Sequence, residues 1–411
     1  MIQTPVLLLT GYLGSGKTTL VNKILSNNKG IKFAVIVNDI GEVNIDATLI
    51  EKDGVVGKKD ESLVALQNGC ICCTLKMDLV EQLSEIASMQ KFDYIVIEAS
   101  GICEPEPIAR TICSIPYMGQ EYVQDGMPRL DCIVTVVDAL RMKDEFSCAK
   151  DLMRGNLGEE DIENLVIQQI EFCNIILLNK ASEVSPEELG KVRQIVRTLQ
   201  PQAEIIECDF GEVDFDKILD TGLFHYDSVA ASAAWISAVE APVEEEEDDD
   251  DDDDEHEHEH EHEHEHEHEH HHHHHHHHHD DEEGEAEEYG IGTYVYYARE
   301  PFDINKFDYF VSKQWPAGII RAKGMCYFTD ENDICYLFEQ AGSQISMKNV
   351  GQWYATMPED ELRDAILQDP AIARDWDPVF GDRMQKLLFI GQHLDKKAIK
   401  AALDFCLDHI A

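Results

Sequence analysis

The 411-residue chain carries 33 Lys and Arg against 82 Asp and Glu, a formal charge of −49, with 43% hydrophobic residues. That apolar share is enough for ordinary buried cores, and the length suits two domains. So acidic a chain is a poor match to a phosphodiester backbone, and no run approaches the roughly 18 apolar residues of a membrane span, so neither nucleic acid nor membrane is an expected partner.

The first element expected is a short buried strand, Val6-Leu7-Leu8-Leu9, too short and without the basic flank of a secretion signal, so a cytoplasmic location is expected. It runs into Thr10-Gly11-Tyr12-Leu13-Gly14-Ser15-Gly16-Lys17-Thr18-Thr19, a complete G-x-x-x-x-G-K-T phosphate loop, and Leu20 to Leu25 continue helically. Gly11, Gly14 and Gly16 let backbone N–H groups converge on an anion, and the helix N-terminus adds fixed positive charge. Lys17 is placed to reach the β and γ phosphates, Ser15 and Thr19 line the same cradle, and the Thr18 hydroxyl is placed to ligate Mg²⁺.

A second strand, Phe33 to Val37, ends in Asn38-Asp39-Ile40-Gly41-Glu42. Residues 43–69 read as irregular, followed by Gly69-Cys70-Ile71-Cys72-Cys73-Thr74-Leu75 and an amphipathic helix over about 76–90. Further strands follow at Tyr94 to Ile97, Cys132 to Asp138 and Ile175 to Leu178, with Ile205-Ile206 as a last one and helices at about 159–172 and 186–199. Apolar strands alternating with helices predict a mostly parallel sheet covered on both faces, an α/β P-loop NTPase domain over residues 1–225.

Residues 240–290 read as a disordered acidic and His-rich linker: Glu244 to Glu288 hold 26 acidic residues and no basic one, and seventeen histidines lie between His256 and His279. Globular patterning resumes over 291–411, with strands near 293–297, 318–328, 334–339, 343–349 and 386–391 and helices near 303–313 and 395–409, a small α+β domain.

Three constellations carry chemistry. Glu98-Ala99-Ser100-Gly101 closes a strand where an acidic side chain orders Mg²⁺, and Gly101 offers an N–H towards the γ-phosphate. Asn179-Lys180-Ala181-Ser182 ends another strand, where guanine-specific GTPases carry N-K-x-D; the aspartate is Ser182 here, and one hydroxyl cannot replace a bidentate carboxylate. Cys70, Cys72 and Cys73 place three thiols within four residues, a soft donor set suited to Zn²⁺, with Co²⁺ also possible. Their open fourth position suits a metal that is passed on, or a ligand such as Glu42. The nine other cysteines lie singly in apolar settings and read as reduced core residues, while Asp138 reads as either near Mg²⁺ or solvated. The histidines read as a loose reservoir for Zn²⁺ or related ions, or as a solubilising linker.

Together these motifs resemble the CobW-type metallochaperone GTPases, the P-loop group that includes HypB and UreG. The likeness extends to Gly318-Ile319-Ile320-Arg321-Ala322-Lys323-Gly324 and Gly381-Asp382-Arg383 in the C-terminal part, while Asp39 stands where the family usually has Glu. The resemblance implies slow, Mg²⁺-dependent hydrolysis of GTP coupled to loading or release of a metal at the three cysteines. It also implies a client metalloprotein or metal-cofactor pathway protein as recipient, with homo-oligomers possible. A P-loop kinase or ATPase, and a metal-storage protein with a regulatory nucleotide domain, are the rival readings.

Overall fold

The computed structural model describes residues 3–26, 30–37, 76–123, 126–146, 160–233, 236, 289–342, 344–368, 370–373 and 376–408. Asn38 to Glu42, the segment with Cys70, Cys72 and Cys73, and the acidic and histidine tracts lie outside these residues.

β1 (Gln3–Thr10) lies inside a six-stranded parallel sheet of order β2-β3-β1-β4-β5-β6. Its companions are β2 (Phe33–Val37), β3 (Tyr94–Glu98), β4 (Met127–Asp138), β5 (Ile175–Asn179) and β6 (Glu204–Glu207). Helices cover both faces, so the strands are apolar in unbroken runs rather than in alternation. Leu7 and Leu9 face Leu20, Val21 and Ile24 of α1 (Lys17–Leu25). Val6 and Leu8 face the layer built from α2 (Lys76–Ser88), α3 (Pro105–Met118), α5 (Glu160–Glu171) and α6 (Pro186–Leu199). α4 (Ala139–Phe146) follows β4 directly. Register pairs Leu9 with Glu98, Thr10 with Thr135, and Asp138 with Asn179, so the polar strand ends emerge along one edge. Ligands of such sheets bind at that carboxyl edge.

The second sheet is antiparallel, of order β10-β9-β8-β11-β7. It comprises β7 (Ile291–Ala298), β8 (Ile319–Phe328), β9 (Glu331–Ala341), β10 (Gln344–Gln352) and β11 (Gln385–Gln392). One face packs on α8 (Ile304–Lys313) and α10 (Lys396–Cys406) through Phe302, Phe307, Phe310, Phe338 and Phe389. The other face meets the first domain. Strand alternation explains the Arg-x-Lys-Gly segment: Arg321 and Lys323 share that second face, Ala322 turns into the aromatic core, and a Cβ on Gly324 would stand 2.0 Å from the Lys386 carbonyl.

Arg321 is 1% exposed and grips Glu171 at the end of α5 through two parallel bonds, Nε to Oε1 at 2.9 Å and Nη2 to Oε2 at 3.0 Å. Glu339 adds a second anion, 2.6 Å from Lys323, 3.2 Å from Lys348 and 3.5 Å from Arg321. Burial pushes the Glu339 carboxyl up, but Lys323, then Arg321 and Lys348, outweigh it and bring it from the usual 4.5 down to about 2.

Four helices depart from the expectations, the short α4 among them. Residues 105–118, where no helix was expected, form α3: Pro105 occupies its first turn, where a missing N–H is harmless, and Pro116 falls only in its last turn. α9 (Glu359–Gln368) was not expected either, and α7 (Tyr226–Ala230) is a single short turn. Among the described residues no helix is long and apolar enough to cross a membrane.

Glu171→Ala strands the buried Arg321 guanidinium and is expected to cost about 3–5 kcal/mol, read as a lower urea midpoint, with Arg321→Met plus Glu171→Leu recovering most of it. The contribution of Glu339, a group with a depressed folded value, is present in full above pH 4.5 and is lost as pH falls towards about 2. Urea midpoints measured across that window are expected to fall more steeply for the wild type than for Glu339→Gln.

Candidate nucleotide-binding site

The phosphate loop bridges the end of β1 and the start of α1. Gly11, Gly14 and Gly16 have φ of +132°, +77° and +110°, a region that side chains rarely enter. Two of them are also needed for space: a Cβ would stand 2.2 Å from the Val136 carbonyl at Gly11, and 2.3 Å from Asn179 Nδ2 at Gly16. Lys17 is buried and donates to the carbonyls of Gly11 at 2.7 Å and Tyr12 at 3.1 Å, which holds its ammonium across the loop. The Ser15 hydroxyl is buried with no hydrogen-bond partner among the described residues, as expected of a cradle built for an anion. Thr19 is exposed on the first turn of α1.

Glu98, 3% exposed at the end of β3, accepts from the Thr18 hydroxyl at 2.8 Å. The two residues separately read as Mg²⁺ groups are thus adjacent, and their hard oxygens suit that ion. Gly101 presses against the phosphate loop: a Cβ there would stand 2.6 Å from Leu13 N. Behind it, the 1% exposed Gln169 of α5 donates its amide to the carbonyls of Gly101 at 3.2 Å and Cys103 at 3.0 Å. The Arg141 guanidinium lies 4.0 Å from the centre of the Tyr12 ring. Sequence reasoning brought neither Gln169 nor Arg141 to the site. Both come from helices without motif, and no local signal marks them.

On the opposite flank, Asn179 is 2% exposed; its Nδ2 donates to the Ser15 carbonyl at 2.7 Å, and its Oδ1 accepts from Gly211 N at 3.0 Å. Lys180 takes a left-handed φ of +62° and pairs its ammonium with Asp138. Asp138 also accepts from Arg141 N at 3.1 Å, so it caps α4 and anchors Lys180. Ser182 donates from both its backbone N, at 3.0 Å, and its hydroxyl, at 2.9 Å, to Oδ1 of Asp209 in the loop after β6.

Burial pushes the thiols of Cys208 and Cys406 up to about 11 and those of Cys173 and Cys335 up to about 12, in keeping with inert core residues. Cys103 departs from the expectation of reduced thiols, being disulfide-bonded. Among the described residues no three His, Cys, Asp or Glu side chains gather as a metal site; the three cysteines read as ligands lie outside them.

A parallel sheet with a glycine loop closed by Lys17, and a Thr18–Glu98 pair at its mouth, defines a P-loop nucleotide-binding protein, here joined to an antiparallel C-terminal sheet. Residues 5–207 match the family described as CobW/HypB/UreG, nucleotide-binding domain, and residues 291–407 match the cobalamin synthesis protein cobW C-terminal domain. The chain belongs to the CobW/HypB/UreG family.

It is 32% identical to the zinc-regulated GTPase metalloprotein activator 1 of Dictyostelium discoideum, over 98% of this chain and 79% of that one. It is 37% identical to the protein of the same name in Schizosaccharomyces pombe, over 53% of this chain and 48% of that one. With the zinc chaperone YjiA of Escherichia coli it shares 31% identity, over 53% and 62% respectively. The chain therefore spans only about half to three fifths of the last two. The crystal structure of Zn(II)-bound YjiA GTPase from E. coli aligns over 99% of this chain and 100% of that one, with 19% identity and a TM-score of 0.38.

Asn179→Ala leaves the Ser15 carbonyl and the Gly211 N–H without their partner, a cost of about 1–3 kcal/mol. Thermal melts with and without nucleotide are expected to show a lower melting temperature and a smaller nucleotide-induced rise than for the wild type.

Proposed function

We propose that this chain is a metallochaperone GTPase: it hydrolyses GTP slowly to GDP and phosphate and uses its nucleotide state to govern a zinc ion held by Cys70, Cys72 and Cys73. The observation that carries the reading is the 2.8 Å bond from Thr18 to Glu98, with Gly101 pressed on Leu13, since it joins the phosphate loop to the E-x-x-G segment in one site. The names of the relatives support zinc as cargo.

In this reading the backbone N–H groups of Gly14, Ser15 and Gly16 and the start of α1 hold the phosphates, and the Lys17 ammonium exchanges its carbonyl partners for β and γ oxygens. Thr18 and Glu98 hold Mg²⁺, which supplies charge neutralisation when bound. Glu98 orders water beside it, and Gly101 N–H faces the γ-phosphate. Water attacks the γ-phosphorus in line as the bond to the β–γ bridging oxygen breaks, leaving GDP and inorganic phosphate. Asn179 and Lys180 face the base.

The cargo site follows from chain order: the three cysteines lie between the strand ending at Val37 and the strand ending at Glu98. A rearrangement around the γ-phosphate then moves a thiolate. The histidine tract concentrates zinc near that site, and the recipient is a client metalloprotein in the cytoplasm.

Zinc affinity measured with GDP bound and with a non-hydrolysable GTP analogue bound is expected to differ, since a coupling between the two sites is reciprocal. Phosphate release from GTP is expected to respond to zinc in the wild type and not in a variant with Cys70, Cys72 and Cys73 all changed to Ser. Equal zinc affinities in the two nucleotide states would remove the coupling.

A further inference from the structure

Guanine presents an N1–H and an exocyclic amino group on one edge, and a carboxylate accepts from both. Adenine presents a bare N1 lone pair at the corresponding place, which a carboxylate repels. Ser182 occupies the position where N-K-x-D supplies that carboxylate, and its hydroxyl has one proton and no charge. The fold brings a carboxylate to the same place from another loop.

Asp209 follows β6, and the turn containing it is laced to the end of β5. Cys208 N donates to the Leu178 carbonyl at 2.9 Å, Ala181 N donates to the Cys208 carbonyl at 3.2 Å, and Gly211 N donates to Asn179 Oδ1 at 3.0 Å. Ser182 then donates twice to Asp209 Oδ1, from its backbone N at 3.0 Å and its hydroxyl at 2.9 Å. Both bonds converge on one oxygen, which fixes the side chain and leaves Oδ2 with no hydrogen bond among the described residues. Asp209 is half-buried.

The neighbouring residues supply the walls of a base site. Phe210 is 71% exposed and takes a left-handed φ of +53°, uncommon for an aromatic residue, so the turn holds a large apolar side chain in water beside the carboxylate. Lys180 has its ammonium drawn to Asp138, which leaves its methylene stem as a second apolar surface. Asn179, between them, ties this turn to the phosphate loop through Ser15.

We propose that Asp209 is the guanine-reading carboxylate of this protein, positioned by Ser182, so that the carboxylate N-K-x-D carries at its fourth position comes here from the turn after β6. The inference rests on the reading of the P-loop site as a GTP site and assigns its base specificity. The ligand class is a guanine nucleoside di- or triphosphate, with adenine nucleotides rejected.

The test is equilibrium binding of GDP, ADP and xanthosine diphosphate to the full chain in Mg²⁺. The wild type is expected to prefer GDP to ADP. Asp209→Asn removes the charged acceptor and is expected to weaken GDP by about tenfold to a hundredfold, with ADP affinity unchanged as a sign of an intact phosphate loop. Its amide N–H meets the C2 carbonyl of xanthine, so xanthosine diphosphate gains relative to GDP. The exchange variant Ser182→Asp with Asp209→Ser is expected to restore GDP binding, which separates base reading from damage to the turn. Wild-type preference for GDP retained in Asp209→Asn overturns the role of Asp209 while leaving the GTP reading standing. A wild type that binds ADP as tightly as GDP overturns the GTP reading itself, and this assignment with it.

Discussion

One buried amide holds the nucleotide site together. Asn179 donates to the Ser15 carbonyl of the phosphate loop and accepts from Gly211 N of the turn after β6. Its position also dictates the residue opposite, because a Cβ at Gly16 would stand 2.3 Å from Asn179 Nδ2. Two loops far apart in the chain are thereby fastened to one strand end. The parallel sheet makes this possible, since its register brings the carboxyl ends of β1, β4 and β5 to a common edge. A buried amide with its carbonyl and N–H partners all satisfied rigidifies its surroundings, and one left half satisfied is costly.

A second support runs through α5. Gln169 and Glu171 are two residues apart on it; the first holds the carbonyls of Gly101 and Cys103, and the second receives Arg321 from the C-terminal sheet. The loop that packs on Leu13 and the sheet that bears Arg-x-Lys-Gly therefore share one helix end as their anchor. The contact between the two domains combines a charge cluster of Glu171, Arg321, Glu339 and Lys323 with an apolar seam, in which Ile291, Ile320, Leu388 and Ile390 join the core of the first domain. A buried cluster of this kind fixes orientation more than it adds stability, because desolvation offsets much of its attraction.

The base side of the site illustrates how a local motif and a tertiary arrangement differ. Read as a string, Asn179-Lys180-Ala181-Ser182 lacks its acid. In the fold, the acid is one hydrogen bond away on Asp209, while the acid that seemed free, Asp138, is bound to Lys180 and the start of α4. The chemical groups near the base are a lysine, an amide, a hydroxyl and a carboxylate, drawn from two turns.

The sequence by itself determined whatever rests on short-range spacing. Gly11 to Thr19 specify a phosphate loop because the required φ values and the lysine lie within one turn, and the strands were legible because burial on both faces demands continuous apolar runs. Glu98 was legible as a strand-end carboxylate, and the helix over 105–118, with prolines at Pro105, Pro107 and Pro116, was not among the expected elements. Only the tertiary structure decided the partners: Gln169 for Gly101, Arg141 for Tyr12, Asp209 for Ser182 and Glu171 for Arg321. These contacts span 27 to 150 residues along the chain and depend on sheet register and helix placement, and a residue's own neighbours in sequence carry no trace of either.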